Sequence, residues 1–270
     1  MIDSTEAFDA AEREMWDGRA EAYAGSFARL CAHPVPALLD AAGVTAGTHV
    51  LDVGTGTGTA AVAALERGAR VAAVDAEADM VAAARGRGVA AQVAVLPELP
   101  YGDGEFDAVV ANFVVNHVGR PRAALTELRR VLRPGGRLAV TLWGARRGAG
   151  QELLGRAVQA AQAVPPAYLP RLDPAEDFPR TPEGVTGLLA EAGFTGVRAE
   201  ETAWDHRATR DEWWSGAAGG VATIGRVVTA QTPQTITRIR RAYDRLADEL
   251  TDPDGLLRLP HVAVLASGTA

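Results

Sequence analysis

Residues 52–58 read Asp-Val-Gly-Thr-Gly-Thr-Gly, between an apolar run, His49–Val53, and a helix-forming stretch, Ala60–Arg67. Glycines at such a junction let backbone approach a ligand closely, and the start of a helix offers unpaired N–H groups. A dinucleotide fingerprint places its glycines first, third and sixth. Here Gly54, Gly56 and Gly58 fall first, third and fifth, and the sixth position is Thr59, which disfavours a nicotinamide-dependent dehydrogenase. Two histidines follow apolar runs and are candidate proton carriers. His117 comes five residues after Phe106–Asn112, and His206 follows Trp204-Asp205. An imidazole at either place can take a proton from an O–H, an N–H or an acidic C–H. His33, His49 and His261 read as structural.

The elements that must position these residues alternate. Apolar runs at His49–Val53, Arg70–Asp75, Ala91–Leu96, Phe106–Asn112 and Arg137–Trp143 are separated by helical stretches at Ala60–Arg67, Glu77–Arg85 and Pro121–Leu132. The last of these starts on proline and stops at Arg133-Pro134-Gly135-Gly136. Strands apolar on both faces, alternating with helices, predict a doubly covered parallel α/β sheet. After Trp143 the rhythm changes. Helices are expected at 148–164, 183–192, 210–228 and 235–250, with two further strands at Val197–Trp204 and Leu256–Ala266. Helices at Ala7–Ala28 and Pro36–Ala42 precede the alternating part. The whole reads as one domain over residues 1–270. Its expected parts are a helical lid at 1–46, a ligand-binding core at 47–143, cap insertions at 144–182 and 205–254, and remaining core at 183–204 and 255–270.

Composition narrows the chemistry. Hydrophobic residues make up 47% and charged residues 23% of the 270, enough to build a large core. Every basic residue is an arginine, so lysine Schiff bases and a P-loop lysine are excluded. The net charge of −7 argues against nucleic-acid binding. One cysteine, Cys31, and five histidines make a disulfide or a structural zinc improbable, and no metal is expected. No apolar run is long enough to span a bilayer, and the opening residues lack the order of a secretion signal. A cytoplasmic monomer or homodimer without membrane or nucleic-acid partners is the expectation.

Asp52 and the three glycines resemble motif I of the class I S-adenosylmethionine (SAM)-dependent methyltransferases. Asp75, Asp79-Met80, the segment Leu99-Pro100-Tyr101…Phe106-Asp107-Ala108-Val109 and the turn Arg130–Leu138 resemble that family too, near its quinone C-methyltransferase group. Trp16-Asp17…Ala20…Tyr23 is similar to its entry helix. The resemblance covers roughly residues 16–143. It implies a Rossmann-like sheet of seven strands, mostly parallel with the last antiparallel, under helical caps. It also implies SAM as cofactor, held by Tyr23, Asp52, Gly54, Thr55, Gly56, Asp75 with Ala76, Met80, Leu96, Pro97, Asn112 and Phe113. Asp75 would accept both ribose hydroxyls, chemistry that suits two planar oxygens. Where the family often has an Asp-Ala pair, this chain has Val95-Leu96, leaving adenine to backbone groups at Leu96 and Pro97.

The resemblance implies in-line transfer of a methyl group, with His117 and His206 as candidate bases. The acceptor would be a small molecule, aromatic or another secondary metabolite, against Trp16, Trp143 and Trp204 in an apolar pocket. A quinone-type C-methyltransferase and a SAM-binding regulator without chemistry are the alternatives.

Overall fold

The computed structural model describes residues 3–167, 169 and 171–270. Seven strands form one sheet: β1 (His49–Val53), β2 (Arg70–Asp75), β3 (Ala90–Val93), β4 (Phe106–Asn112), β5 (Leu132–Trp143), β6 (Thr195–Ala208) and β7 (Leu257–Thr269). Their spatial order is β3-β2-β1-β4-β5-β7-β6. β1 to β5 pair in parallel, and β7 runs antiparallel to both neighbours. The strand order reverses between β1 and β4. In an open α/β sheet that reversal opens a crevice at the carboxyl ends of the two strands.

Strand alternation decides which helix packs where. Leu51, Val53, Val109, Ala111, Leu138 and Val140 face one side, against α7 (Pro121–Val131) and α9 (Pro182–Glu191). Val50, Ala108, Val110 and Ala139 face the other, against α4 (Val35–Ala41) and α5 (Thr59–Glu66), with α6 (Ala78–Gly86) beside them. α7 shows why such a segment is helical. Proline opens it, and Ala124, Leu125, Leu128 and Val131 form a buried stripe while Arg129 points outward. A second core joins α8 (Ala149–Ala160), α10 (Arg210–Ala218), α11 (Ala222–Thr229) and α12 (Pro233–Ala247) to Leu257 and Leu259 of β7. No helix of the described residues is long and apolar enough to cross a membrane.

Several boundaries differ from expectation, each for a local reason. The helix expected at 7–28 is three: α1 (Ser4–Trp16), α2 (Ala20–Ala24) and α3 (Phe27–Cys31). Gly18 at φ +67° makes the first break. The helix expected at 210–228 divides before Ala222, where Gly220 has φ +76°. β3 stops at Val93, and the chain turns so that Ala94 N–H donates to Asp75 C=O at 3.0 Å. β6 runs four residues past Trp204, because it pairs with β7 as far as Ala208↔Leu257. The turn at Arg133–Gly136 sits inside β5 as a bulge between the Phe106↔Leu132 and Ala108↔Arg137 pairs.

α1 to α3 lie over the carboxyl edge of the sheet and are strapped to it. Asp79 Oδ2 accepts from Ala20 N–H (2.9 Å), Asp9 Oδ1 accepts from Gly119 N–H (2.6 Å), and Asn112 Nδ2 donates to Cys31 C=O (2.9 Å). A Cβ at Gly119 would lie 2.5 Å from the Thr5 carbonyl oxygen. Overpacking of that kind costs about 1–3 kcal/mol, so Gly119→Ala should speed amide exchange in α1 by roughly ten- to a hundredfold. Exchange in β4 and β5 should not change. Unaltered protection of α1 would mean that the contact is not tight.

Candidate active site

After β1 the chain turns through Gly54, Gly56 and Gly58, at φ +62°, +55° and +85°. Glycine takes that conformation without strain, and a Cβ at Gly54 would lie 2.4 Å from Val114 Cγ2. Two acids hold the loop. Thr55 Oγ1–H donates to Asp52 Oδ2 (2.7 Å), and Gly56 N–H donates to Asp75 Oδ2 (2.8 Å). Glu77 N–H donates to the other oxygen of Asp75 (3.0 Å). Asp52 is 1% exposed and its Oδ1 has no partner. Burial pushes its carboxyl up to about 7, helped by the charge of Asp75, whose own carboxyl burial also pushes up. Carboxylates stripped of water favour any ligand that brings a cation or hydroxyl donors.

One cavity of about 630 Å³ opens from this loop. Gly54, Gly56, Asp75, Ala76, Met80 and Leu96 line one end of it. Tyr23 stands opposite, with its Cε1 3.4 Å from where a Cβ on Gly56 would be. Burial holds its hydroxyl well above the usual phenol range. Asn112 closes β4, its Oδ1 accepting from Thr141 Oγ1–H at 2.6 Å. Phe113 follows at φ +60°, rare for an aromatic residue, and its N–H donates to Thr141 C=O at 3.0 Å. That backbone twist lays the Phe113 ring on Trp143, 4.2 Å between centroids. Trp143, Trp213, Phe27, Leu154, Ile224 and His261 complete an aromatic and apolar far end.

His117 and Trp16 line the cavity as well. His117 Nδ1–H donates to Glu12 Oε2 at 2.8 Å, and the ring meets Trp16 edge-on at 5.4 Å. Trp16 also meets Tyr23 edge-on, at 5.7 Å. His206 and Trp204 are not on the cavity wall. Because β6 continues past Trp204, His206 is a strand residue paired with Leu259, and its Nδ1 faces His33 Nε2 at 3.2 Å. Burial lowers His206 to about 4, too low for a base near neutrality. Trp204 stacks behind His261, 6.0 Å between centroids. Asp52, Thr55 and Pro97 also lie behind the lining.

Glu12 and His261 are lining residues that escaped the sequence reading. Glu12 lies among the buried Phe8 and Met15 of α1, and an acid on the apolar stripe of a helix was the available signal. His261, expected to be structural, lines the far end. Its Nδ1–H donates to Leu259 C=O at 2.7 Å, and burial lowers it to about 4, so it presents a neutral ring.

A family model described as a methyltransferase domain matches residues 51–140. The chain is 36% identical over 172 residues to the demethylmenaquinone methyltransferase of Beutenbergia cavernae, covering 60% of this chain and 71% of that protein. Its fold is similar to a possible histamine N-methyltransferase of Thermotoga maritima (TM-score 0.56, 18% identity, 95% of this chain and 98% of that one). It is also similar to phosphoethanolamine N-methyltransferase 2 of Haemonchus contortus, crystallised with S-adenosylhomocysteine (TM-score 0.57, 16% identity, 100% and 60%).

The two acids give separable predictions. Asp75→Ala should weaken S-adenosylhomocysteine binding by at least about 1.5–3 kcal/mol in calorimetry, the worth of hydrogen bonds to a charged group. Unchanged affinity would exclude Asp75 from the diol role. Asp52 titrates in the folded chain at about 7 instead of near 3.8. Its contribution to the ligand-free fold is therefore full below pH 4 and lost as pH rises through 7. Asp52→Asn, uncharged at every pH, should gain several degrees of melting temperature over wild type at pH 8 and none at pH 4. A constant difference across that range would contradict the burial argument.

Proposed function

Because the chain belongs to the class I SAM-dependent methyltransferases, we propose that its acceptor is a planar, aromatic small molecule held at the far end of the cavity. The observation that carries this reading is the continuity of that cavity, with acids and glycines at one end and stacked aromatic rings at the other. SAM supplies a methyl group on a sulfonium, open to in-line displacement. Protein groups have then to bind, align and dehydrate.

On this reading Asp75 and Ala76 take the ribose, and Met80 with the backbone of Leu96 takes the adenine. The ammonium end goes to the loop Gly54-Thr55-Gly56, to Tyr23 and, through the loop, to Asp52. Asn112 and Phe113 flank the transferring methyl. The fit rests on the unpartnered Asp52 oxygen and on a loop whose glycines leave no side chain in the way. Trp143 and Phe113 offer a flat apolar wall to an aromatic ring, and Trp16 lines the same cavity from the lid. His117 is the proton acceptor. Holding acceptor and methyl in line is worth about 7–11 kcal/mol, so alignment is the main task of the lid and the wall. We further propose cytoplasmic secondary metabolism as the setting and a monomer or homodimer as the working form.

One observation favours a narrower second reading. The relative at 36% identity is a demethylmenaquinone methyltransferase, which makes C-methylation of a quinol ring the next reaction to test. Incubation with labelled SAM and a panel of naphthols, hydroquinones and hydroxybenzoates should give methylated product from at least one class. Trp143→Ala should raise the acceptor KM about tenfold, near 1.4 kcal/mol, with S-adenosylhomocysteine affinity unchanged. Tight S-adenosylhomocysteine binding with no turnover on any aromatic would favour a regulator instead.

A further inference from the structure

The lid carries a charged side chain into the cavity. Glu12 of α1 is 9% exposed, and its Oε2 accepts from His117 Nδ1–H at 2.8 Å. A carboxylate only accepts, so this contact puts the imidazole proton on Nδ1 and leaves the lone pair on Nε2. Trp16, one turn further along α1, packs edge-on against the same ring. Asp9, one turn earlier, accepts from Gly119 N–H. Three side chains of one helix thus fix the segment that carries His117.

We infer that Glu12 is the positioning residue for His117, so that a docked lid helix aims Nε2 at an acceptor that must lose a proton when it is methylated. This rests on the methyl-transfer reading and adds to it the class of acceptor: a phenol, naphthol or enol. As the hydroxyl proton passes to Nε2, the acceptor oxygen, or the ring carbon conjugated with it, forms the bond to the methyl carbon. The carbon–sulfur bond breaks and its electron pair stays on sulfur. When the ring carbon is methylated, a second proton leaves that carbon to water as the ring regains aromaticity.

Asp9, Arg13, Asp75, Glu77 and Arg147 bring the other charges of the cavity wall. Arg122 of α7 pairs with Glu176 and Glu191, and Arg13 of α1 acts on Glu77. Asn116 Nδ2 donates to the carbonyl of Trp143 on β5, which brings no charge to the ring. Glu12 is the ion-pair partner of His117 among the described residues.

The test compares wild type with Glu12→Gln and Glu12→Asp in the full chain, by ¹⁵N spectra of the histidine rings and by turnover. In Glu12→Gln the His117 ring should leave the Nδ1–H tautomer, because an amide no longer demands a proton on Nδ1. S-adenosylhomocysteine affinity should stay within about twofold of wild type. Turnover on a naphthol should fall at least about tenfold, part of what a general base supplies. The loss should shrink for nitro-substituted naphthols that are already ionised, and Glu12→Asp should restore part of it. An unchanged His117 tautomer in a folded Glu12→Gln variant would overturn the pairing. A changed tautomer with undiminished turnover, or an equal loss on ionised and neutral acceptors, would overturn the catalytic role. If wild type methylates none of the acceptors, it is the methyl-transfer reading that fails, whatever the ring spectra show.

Discussion

The carboxylate of Asp75 holds two turns of the chain at once, accepting Gly56 N–H from the loop after β1 and Glu77 N–H from the turn after β2. Both turns can reach it because β1 and β2 are parallel and in register, Val53 opposite Val74, so their carboxyl ends coincide. The loop must then curl within a few residues, and three left-handed backbones do this, at Gly54 where a Cβ would collide with Val114. Closing the helices over these ends removes water from two acids. Burial raises both carboxyls above their usual range, which favours a ligand that brings a cation or hydroxyl donors. A cofactor with a sulfonium, an ammonium and a ribose answers that demand.

The same crowding shapes the acceptor end. Phe113 accepts an uncommon backbone conformation, and its ring gains a stacked place on Trp143. Behind that wall His33, His206 and His261 pack among Trp143, Trp204 and Trp213. Burial keeps all three imidazoles neutral near pH 7, so they behave as flat, weakly polar rings. An acceptor meets a mostly apolar surface there, while the ionic work stays near the lid. The proposed function thereby assigns stacking and proton transfer to different walls of one cavity.

What the sequence made legible was local. The glycine loop, Asp75 at the end of a strand and the proline-to-glycine frame of α7 are written within a few residues of one another, and strand alternation gave the order of layers. Extents were harder to read, because they depend on a distant partner. β6 is long because β7 lies beside it, and that extension turns His206 from a strand-end residue into a buried one. Single helices were expected where Gly18 and Gly220 break them, since apolar periodicity continues across each break. Glu12 and His261 went unread for the same reason: the distances that matter, to His117 and to the far end of the cavity, span more than a hundred residues of chain.

The central claim is that one cavity holds the cofactor at the acid and glycine end with its sulfur turned toward the aromatic end. A crystal structure of the protein with S-adenosylhomocysteine tests it most directly. The expected density places both ribose hydroxyls on Asp75 and the sulfur beside Asn112 and Phe113, facing Trp143. Density for the ligand outside this cavity, or with its sulfur turned away from Trp143, would contradict it.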